Sequence, residues 1–191
     1  IRAEADLSAI PADMEKLAVR VIHACGMVDI AADIGFTPGA VAAGMEALRA
    51  GRAIFCDVQM VARGIIPRLL PNGVDIVCTL DDAGVADRAR ALRTTRSAAA
   101  VDIWAERIDG AILVFGNAPT ALFRLLECVS QADARPALVV GFGGGSVSLL
   151  AARKRVRDTL SRRHALLVHP AHFFQEVCGV HRHGFSIGAA M

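Results

Sequence analysis

A few short segments carry residue types able to do chemistry. Arg96 stands in Thr94-Thr95-Arg96-Ser97-Ala98-Ala99-Ala100, directly ahead of a run of small residues. Ser97 is placed to cap a helix there. That would leave the planar guanidinium of Arg96 able to clamp a carboxylate, although an ordinary surface arginine fits the same position. Asn117-Ala118-Pro119-Thr120 puts a proline at a helix start, where first-turn N–H groups face outward and Thr120 adds a hydroxyl. Such a turn suits a carboxylate or a phosphate, and simple capping accounts for it equally well. His23 falls near the end of an amphipathic stretch, off its apolar side. A histidine there can donate a proton near neutral pH or merely cap the helix.

Gly141-Phe142-Gly143-Gly144-Gly145-Ser146 follows an apolar run and resembles a phosphate-cradling turn. Ser146 stands where a dinucleotide fingerprint closes on Gly or Ala, and the Gly-Lys pair of a Walker loop is missing. A strand-to-helix loop and an anion nest built around Gly143 both remain open. The tail residues His169, His172, Cys178, His181 and His183 invite a metal, but their spacing matches no standard zinc pattern.

These residues need elements to position them. Ile10 to Asp13 reads as the opening of a helix with Met14, Leu17, Ala18, Val21, Ile22 and Cys25 as its apolar stripe and Gly26 as its stop. A second helix is expected from Thr37-Pro38 to Gly51, and others over 85–92, 97–108 and 119–130. Between them lie continuous apolar runs at 53–56, 74–78, 111–115 and 137–140, with a fifth strand candidate at 164–168. Continuous apolar strands alternating with helices predict a doubly wound α/β fold, a parallel sheet covered on both faces. Ligands of such a fold bind at the carboxyl ends of the strands, which selects Asp57, Asp81, the turn from Asn117 to Thr120 and the glycines from Gly143.

Composition agrees with that class. The chain has 191 residues, enough for one domain, with 54% in the apolar set and 21% charged. Mean hydropathy is +0.45. This excludes a disordered chain and a solvated coiled coil. The charge-free stretch from Pro136 to Ala152 is interrupted by glycines and falls short of the ~20 apolar residues of a membrane span. Ile1 to Leu7 carries Arg2, Glu4 and Asp6 and does not read as a leader. Five cysteines without a Cys-x-x-Cys pair make no disulfide framework. A soluble, cytoplasmic protein is expected, with no membrane association. Residues 1–150 hold 14 Arg and Lys against 17 Asp and Glu, whereas residues 151–191 hold 7 against 2. The basic end lacks the interleaved aromatics of a single-strand platform, so nucleic acid is not an expected partner.

Taken together, Val21-Ile22-His23-Ala24-Cys25-Gly26, Cys56-Asp57-Val58-Gln59-Met60-Val61, Thr95-Arg96-Ser97-Ala98-Ala99-Ala100 and Gly116-Asn117-Ala118-Pro119-Thr120-Ala121-Leu122-Phe123 resemble the precorrin-8X methylmutase family of cobalamin biosynthesis. Four blocks in the right order, covering residue 1 to about residue 141, are far more specific than any one of them. The resemblance implies a flavodoxin-like three-layer α/β/α fold, a homodimer and no cofactor. It implies an intramolecular methyl shift from C-11 to C-12 of the corrinoid ring, giving hydrogenobyrinate from precorrin-8x or cobyrinate from cobalt-precorrin-8. It implies His23 as catalytic proton donor, Arg96 and Ser97 as holders of the ring's carboxylates, and Asp57, Asn117 and Thr120 as further substrate contacts, to which the strand-end position adds Gly143 as a substrate-binding candidate.

Beyond Phe142 the family's loop sequence is replaced, so a core over 1–142 and a divergent, His-rich part over 143–191 are expected, the latter completing the same domain. With 19 arginines against two lysines the gene reads as GC-rich, and the part from about residue 143 as a frameshifted or replaced end. Two other functions fit the same residues: an inactive tetrapyrrole-binding scaffold, and a metal-loading, chelatase-like protein that uses the tail histidines.

Overall fold

The apolar runs become strands where the sheet is covered on both faces: Ile54–Cys56 is buried throughout and Ile112–Phe115 nearly so. A computed structural model describes residues 1–104, 107–116, 118–131, 135–142 and 165–168. Its strands are β1 (Ile34–Phe36), β2 (Ile54–Cys56), β3 (Ile76–Val77), β4 (Ile112–Phe115), β5 (Leu138–Phe142) and β6 (Ala165–Val168). Its α-helices are α1 (Glu15–Cys25), α2 (Ala40–Arg49), α3 (Gln59–Gly64), α4 (Val85–Ala91), α5 (Arg96–Trp104) and α6 (Pro119–Gln131). One sheet holds all six strands in the order β1-β6-β5-β4-β2-β3.

From β3 to β6 every neighbouring pair is parallel, and only β1 on β6 is antiparallel. Numbered by chain order within the parallel part, the strands run 2-1-3-4-5, the flavodoxin-like arrangement. The expected fold class holds, with one addition: β1, a three-residue edge strand that apolar periodicity did not mark.

Side chains alternate across the sheet as a two-residue period requires. Phe55, Leu113, Phe115 and Val139 join Val101, Trp104, Leu122, Leu125 and Val129 in a core between the sheet and α5 and α6. Ile54, Cys56, Ile112 and Leu138 face the other way, onto Ala40 and Ala47 of α2. There Gly44 is a matter of space, since a Cβ would lie 2.9 Å from Leu138 Cδ2. Helix α1, with Met14 just ahead of it, packs Met14, Ala18 and Ile22 against Ile30, Ala31 and Ile34.

Two helix expectations need correction. Residues 11–14 form a turn closed by the Met14 N–H on the Pro11 carbonyl at 2.9 Å, so α1 begins at Glu15. Cys25, expected on the apolar stripe, is exposed because the helix unwinds at Gly26 just beyond it. Helix α3 was not anticipated; it is six residues long and buries no side chain fully.

Trp104 fixes α5 to the sheet. Its ring lies 5.5 Å from that of Phe55 and 5.8 Å from that of Phe115. Its indole N–H donates to Thr79 Oγ1 at 2.8 Å, and that buried hydroxyl donates to the Ala100 carbonyl at 3.1 Å. Both polar groups are thereby satisfied away from water, as burial demands.

Candidate functional site

The chain leaves β2 for β3 on one side of the sheet and later enters β4 on the other, so the order reverses between β2 and β4. A crevice at the carboxyl ends of the strands is expected at such a point. Asp57 is the first residue after β2 and only 1% exposed. Its Oδ1 accepts the Gly116 N–H at 3.0 Å and its Oδ2 accepts the Ala118 N–H at 2.8 Å. One buried carboxylate therefore holds the turn after β4 in place, through charge-assisted bonds stronger than neutral ones. Asp57 is found at the site, acting on the turn.

Gly116 explains why that turn lies so low on the sheet. A Cβ at this position would sit 2.2 Å from Val61 Cγ2 on α3, closer than any side chain tolerates. Glycine lets α3 close directly onto the turn. Neither Gly116 nor Val61 stood out as a site residue in the sequence, because the contact is visible only once β2 and β4 are adjacent. Asn117 and Gly143 lie outside the described residues, as do the tail histidines and Cys178.

Pro119 and Thr120 open α6, as expected. Thr120 Oγ1 lies 2.8 Å from Thr95 Oγ1, the residue just before α5. Thr95 also accepts the Ala98 N–H on its hydroxyl at 3.1 Å, while its carbonyl accepts the Ala99 N–H at 3.0 Å. Thr95 is thus the capping residue of α5, two positions ahead of the expected Ser97. Ser97 lies within the first turn, half-buried.

Arg96 Nη2 donates to Asp81 Oδ1 at 2.8 Å and to the Leu80 carbonyl at 3.2 Å. Both side chains of the ion pair are more than half exposed. Such a pair is worth about 0–1 kcal/mol in water, little enough for an incoming carboxylate to exchange with Asp81. The structure therefore gathers Asp57, the turn through Ala118, Thr120, Thr95, Ser97, Arg96 and Asp81 at one end of the sheet. His23 is exposed in the last turn of α1, and its side chain makes no hydrogen bond or ion pair among the described residues.

Two cysteines flank Asp57. Burial, with Cys78 and then Asp57 as lesser influences, pushes the Cys56 thiol up to about 12. Burial likewise raises Cys78. Both are neutral thiols at physiological pH and poor nucleophiles. Among the described residues no three His, Cys, Asp or Glu side chains are placed to share a metal ion.

The comparisons bear on what such an end can do. The family model described as precorrin-8X methylmutase matches residues 1–167, further along the chain than the resemblance read from its four blocks. The precorrin-8X methylmutase of Pseudomonas aeruginosa is 55% identical over 147 residues, 77% of this chain and 71% of that protein. That of a Sinorhizobium species is 44% identical over 77% of this chain and 70% of its own. The cobalt-precorrin-8 methylmutase of Priestia megaterium is 36% identical over 68% and 58%. The crystal structure of precorrin-8x methyl mutase from Thermus thermophilus superposes with a TM-score of 0.74 at 37% identity, covering 84% of this chain and 77% of that one.

Proposed function

The chain belongs to the precorrin-8X methylmutase family, and from that premise we propose how its residues divide the work of an isomerase in cobalamin biosynthesis. The reaction moves one methyl group from C-11 to C-12 of the corrinoid ring. As a 1,5-sigmatropic shift within one molecule, it breaks one carbon–carbon bond, forms another, and leaves the oxidation level unchanged. The protein contributes orientation and control of the macrocycle's protonation state.

In this reading His23 donates a proton or hydrogen bond to the ring and is the catalytic residue. Arg96 exchanges Asp81 for a carboxylate arm of the substrate, with Ser97 beside it. Asp57 holds the turn from Gly116 to Thr120 against the ring, and Asn117 and Gly143 add contacts. The observation that carries the reading is the turn after β4, clamped by both Asp57 oxygens at the reversal of strand order, in a chain 55% identical to a methylmutase.

Precorrin-8X without cobalt is the proposed substrate. The relatives at 55% and 44% identity are named for it, and the one at 36% for the cobalt-bearing form. The neighbours' shared naming does not favour an inactive scaffold or a chelatase. A homodimer in the cytoplasm is proposed with it; no helix among the described residues is long and apolar enough to cross a membrane. The core over 1–142 is proposed to be completed by the later part of the chain through β6.

The test is a visible-absorption assay with precorrin-8X and with cobalt-precorrin-8, run on the parent chain and on His23→Ala. The parent is expected to generate the corrin spectrum, faster with the cobalt-free substrate. The variant is expected to lose about a hundred- to ten-thousandfold in kcat, the usual contribution of a general acid, while still binding hydrogenobyrinate. A variant that converts substrate as the parent does would remove His23 from the mechanism.

A further inference from the structure

We propose that the cavity between α3 and the end of β3 is a second carboxylate subsite, with Arg63 as its cation and Gln59 as its neutral hydrogen-bond donor. It takes one acidic arm of the macrocycle, and so rests on the methylmutase reading above. The cavity measures about 490 Å³ and is lined by Gln59, Ala62, Arg63, Ile65, Pro67, Ile76 and Cys78. That is within the roughly 300–1,000 Å³ of ordinary ligand pockets.

Its place in the fold ties it to the site already described. Gln59, Ala62 and Arg63 fall at positions i, i+3 and i+4 of α3, which puts them on one helix face. Val61, off that face, is the residue pressed against Gly116. One short helix thus touches the turn after β4 and also forms a wall of the cavity. The opposite wall comes from β3 and the residue after it, at the same carboxyl end of the sheet as Asp57.

Charge gives the ligand class. Arg96 is paired with Asp81, Arg90 with Asp87, and Arg88 and Arg124 with Asp102. The exposed side chain of Arg63 makes no ion pair or hydrogen bond among the described residues; Arg49, Arg52 and Arg68 share that, and Arg63 is the one among them that lines the cavity. Cys78, on the cavity wall, is kept a neutral thiol by burial and presents no repelling anion. Ile65, Pro67 and Ile76 supply apolar wall, and lower polarity strengthens an ion pair formed there. A substrate ringed with carboxylates needs more than one cationic contact to be held in a single orientation.

Spectral titration with hydrogenobyrinate and steady-state assay with precorrin-8X test this on the full chain. Arg63→Met is expected to raise Kd and KM about ten- to a hundredfold, with a much smaller change in kcat. Arg63→Lys should recover most of the loss, and Arg49→Met on α2 should behave as the parent. If the parent converts substrate and Arg63→Met binds as tightly as Arg49→Met, the subsite is wrong while the methylmutase reading stands. If the parent neither binds nor converts, both fall together.

Discussion

The hydroxyls of Thr95 and Thr120 lie 2.8 Å apart and join the beginning of α5 to the beginning of α6. Both helices therefore start at the same end of the sheet and are fixed to each other there, where Arg96 and the Asp57-clamped turn also lie. The pair separates two roles in one measurement. Thr95→Val removes the cap and the link, and should cost about 1 kcal/mol or somewhat more in urea denaturation. Thr120→Val removes only the link and should cost less, yet both should weaken product binding. Equal stability losses in the two variants would mean that capping is not what distinguishes Thr95.

Gly116 and Val61 form a steric pair. Gly116→Ala forces a Cβ to within 2.2 Å of Val61 Cγ2, and overpacking of this kind typically costs ~1–3 kcal/mol. Adding Val61→Ala should return much of that loss, giving a non-additive double-mutant cycle. Strict additivity would show that the strain resides elsewhere in the turn.

Asp102 is an anchor between helices. Its carboxylate, with 5% of the side chain exposed, accepts from Arg124 Nε at 2.6 Å and from Arg88 Nε at 3.3 Å. Asp102→Asn keeps the shape and removes the charge that serves both arginines. Because those partners are substantially exposed, the expected loss is about 1–3 kcal/mol, seen as a lower urea midpoint with an unchanged slope. An unchanged midpoint would reduce this cluster to surface decoration.

Cys56 sets an alkaline limit. Its thiol is raised from 9.0 to about 12 in the folded chain, so below pH 9 both folded and unfolded states keep the proton. Above pH 9 the unfolded state gives it up first, and stability falls until the folded thiol also ionises near 12. The slope is up to about 1.4 kcal/mol per pH unit. Denaturation at pH 7.5, 9 and 10.5 should show Cys56→Ala losing less over that interval than the parent, with Cys78 and Cys128 contributing the remainder. Parallel curves would mean that Cys56 ionises alike in both states.

The central parallel strands were legible because they are covered on both faces and so written as unbroken apolar runs: Ile112 to Phe115 is the plainest. β1 was not, since Ile34-Gly35-Phe36 is short, contains glycine, and owes its conformation to β6 far along the chain. α3 was hidden for the opposite reason: Gln59 to Gly64 buries no residue fully and so shows no apolar stripe. At the site, the acidic residue at a strand end pointed to Asp57, but nothing local could reveal that its oxygens accept from Gly116 and Ala118. Capping was misplaced from Thr95 to Ser97 because a hydroxyl stands on each side of Arg96, and only the Ala98 N–H decides between them.

The edge of the sheet has a consequence for synthesis. Among the described strands, β1 reaches the sheet only through β6, which itself lies on β5. As the chain leaves the ribosome, β1 therefore has no strand to join until residues 165–168 have emerged. In the meantime β5 carries an open edge, the kind of surface on which strands of other chains can add. A ribosome stalled before residue 165 would hold a nascent chain with its sheet unclosed and more open to capture by a chaperone. Release of that capture should coincide with the arrival of β6.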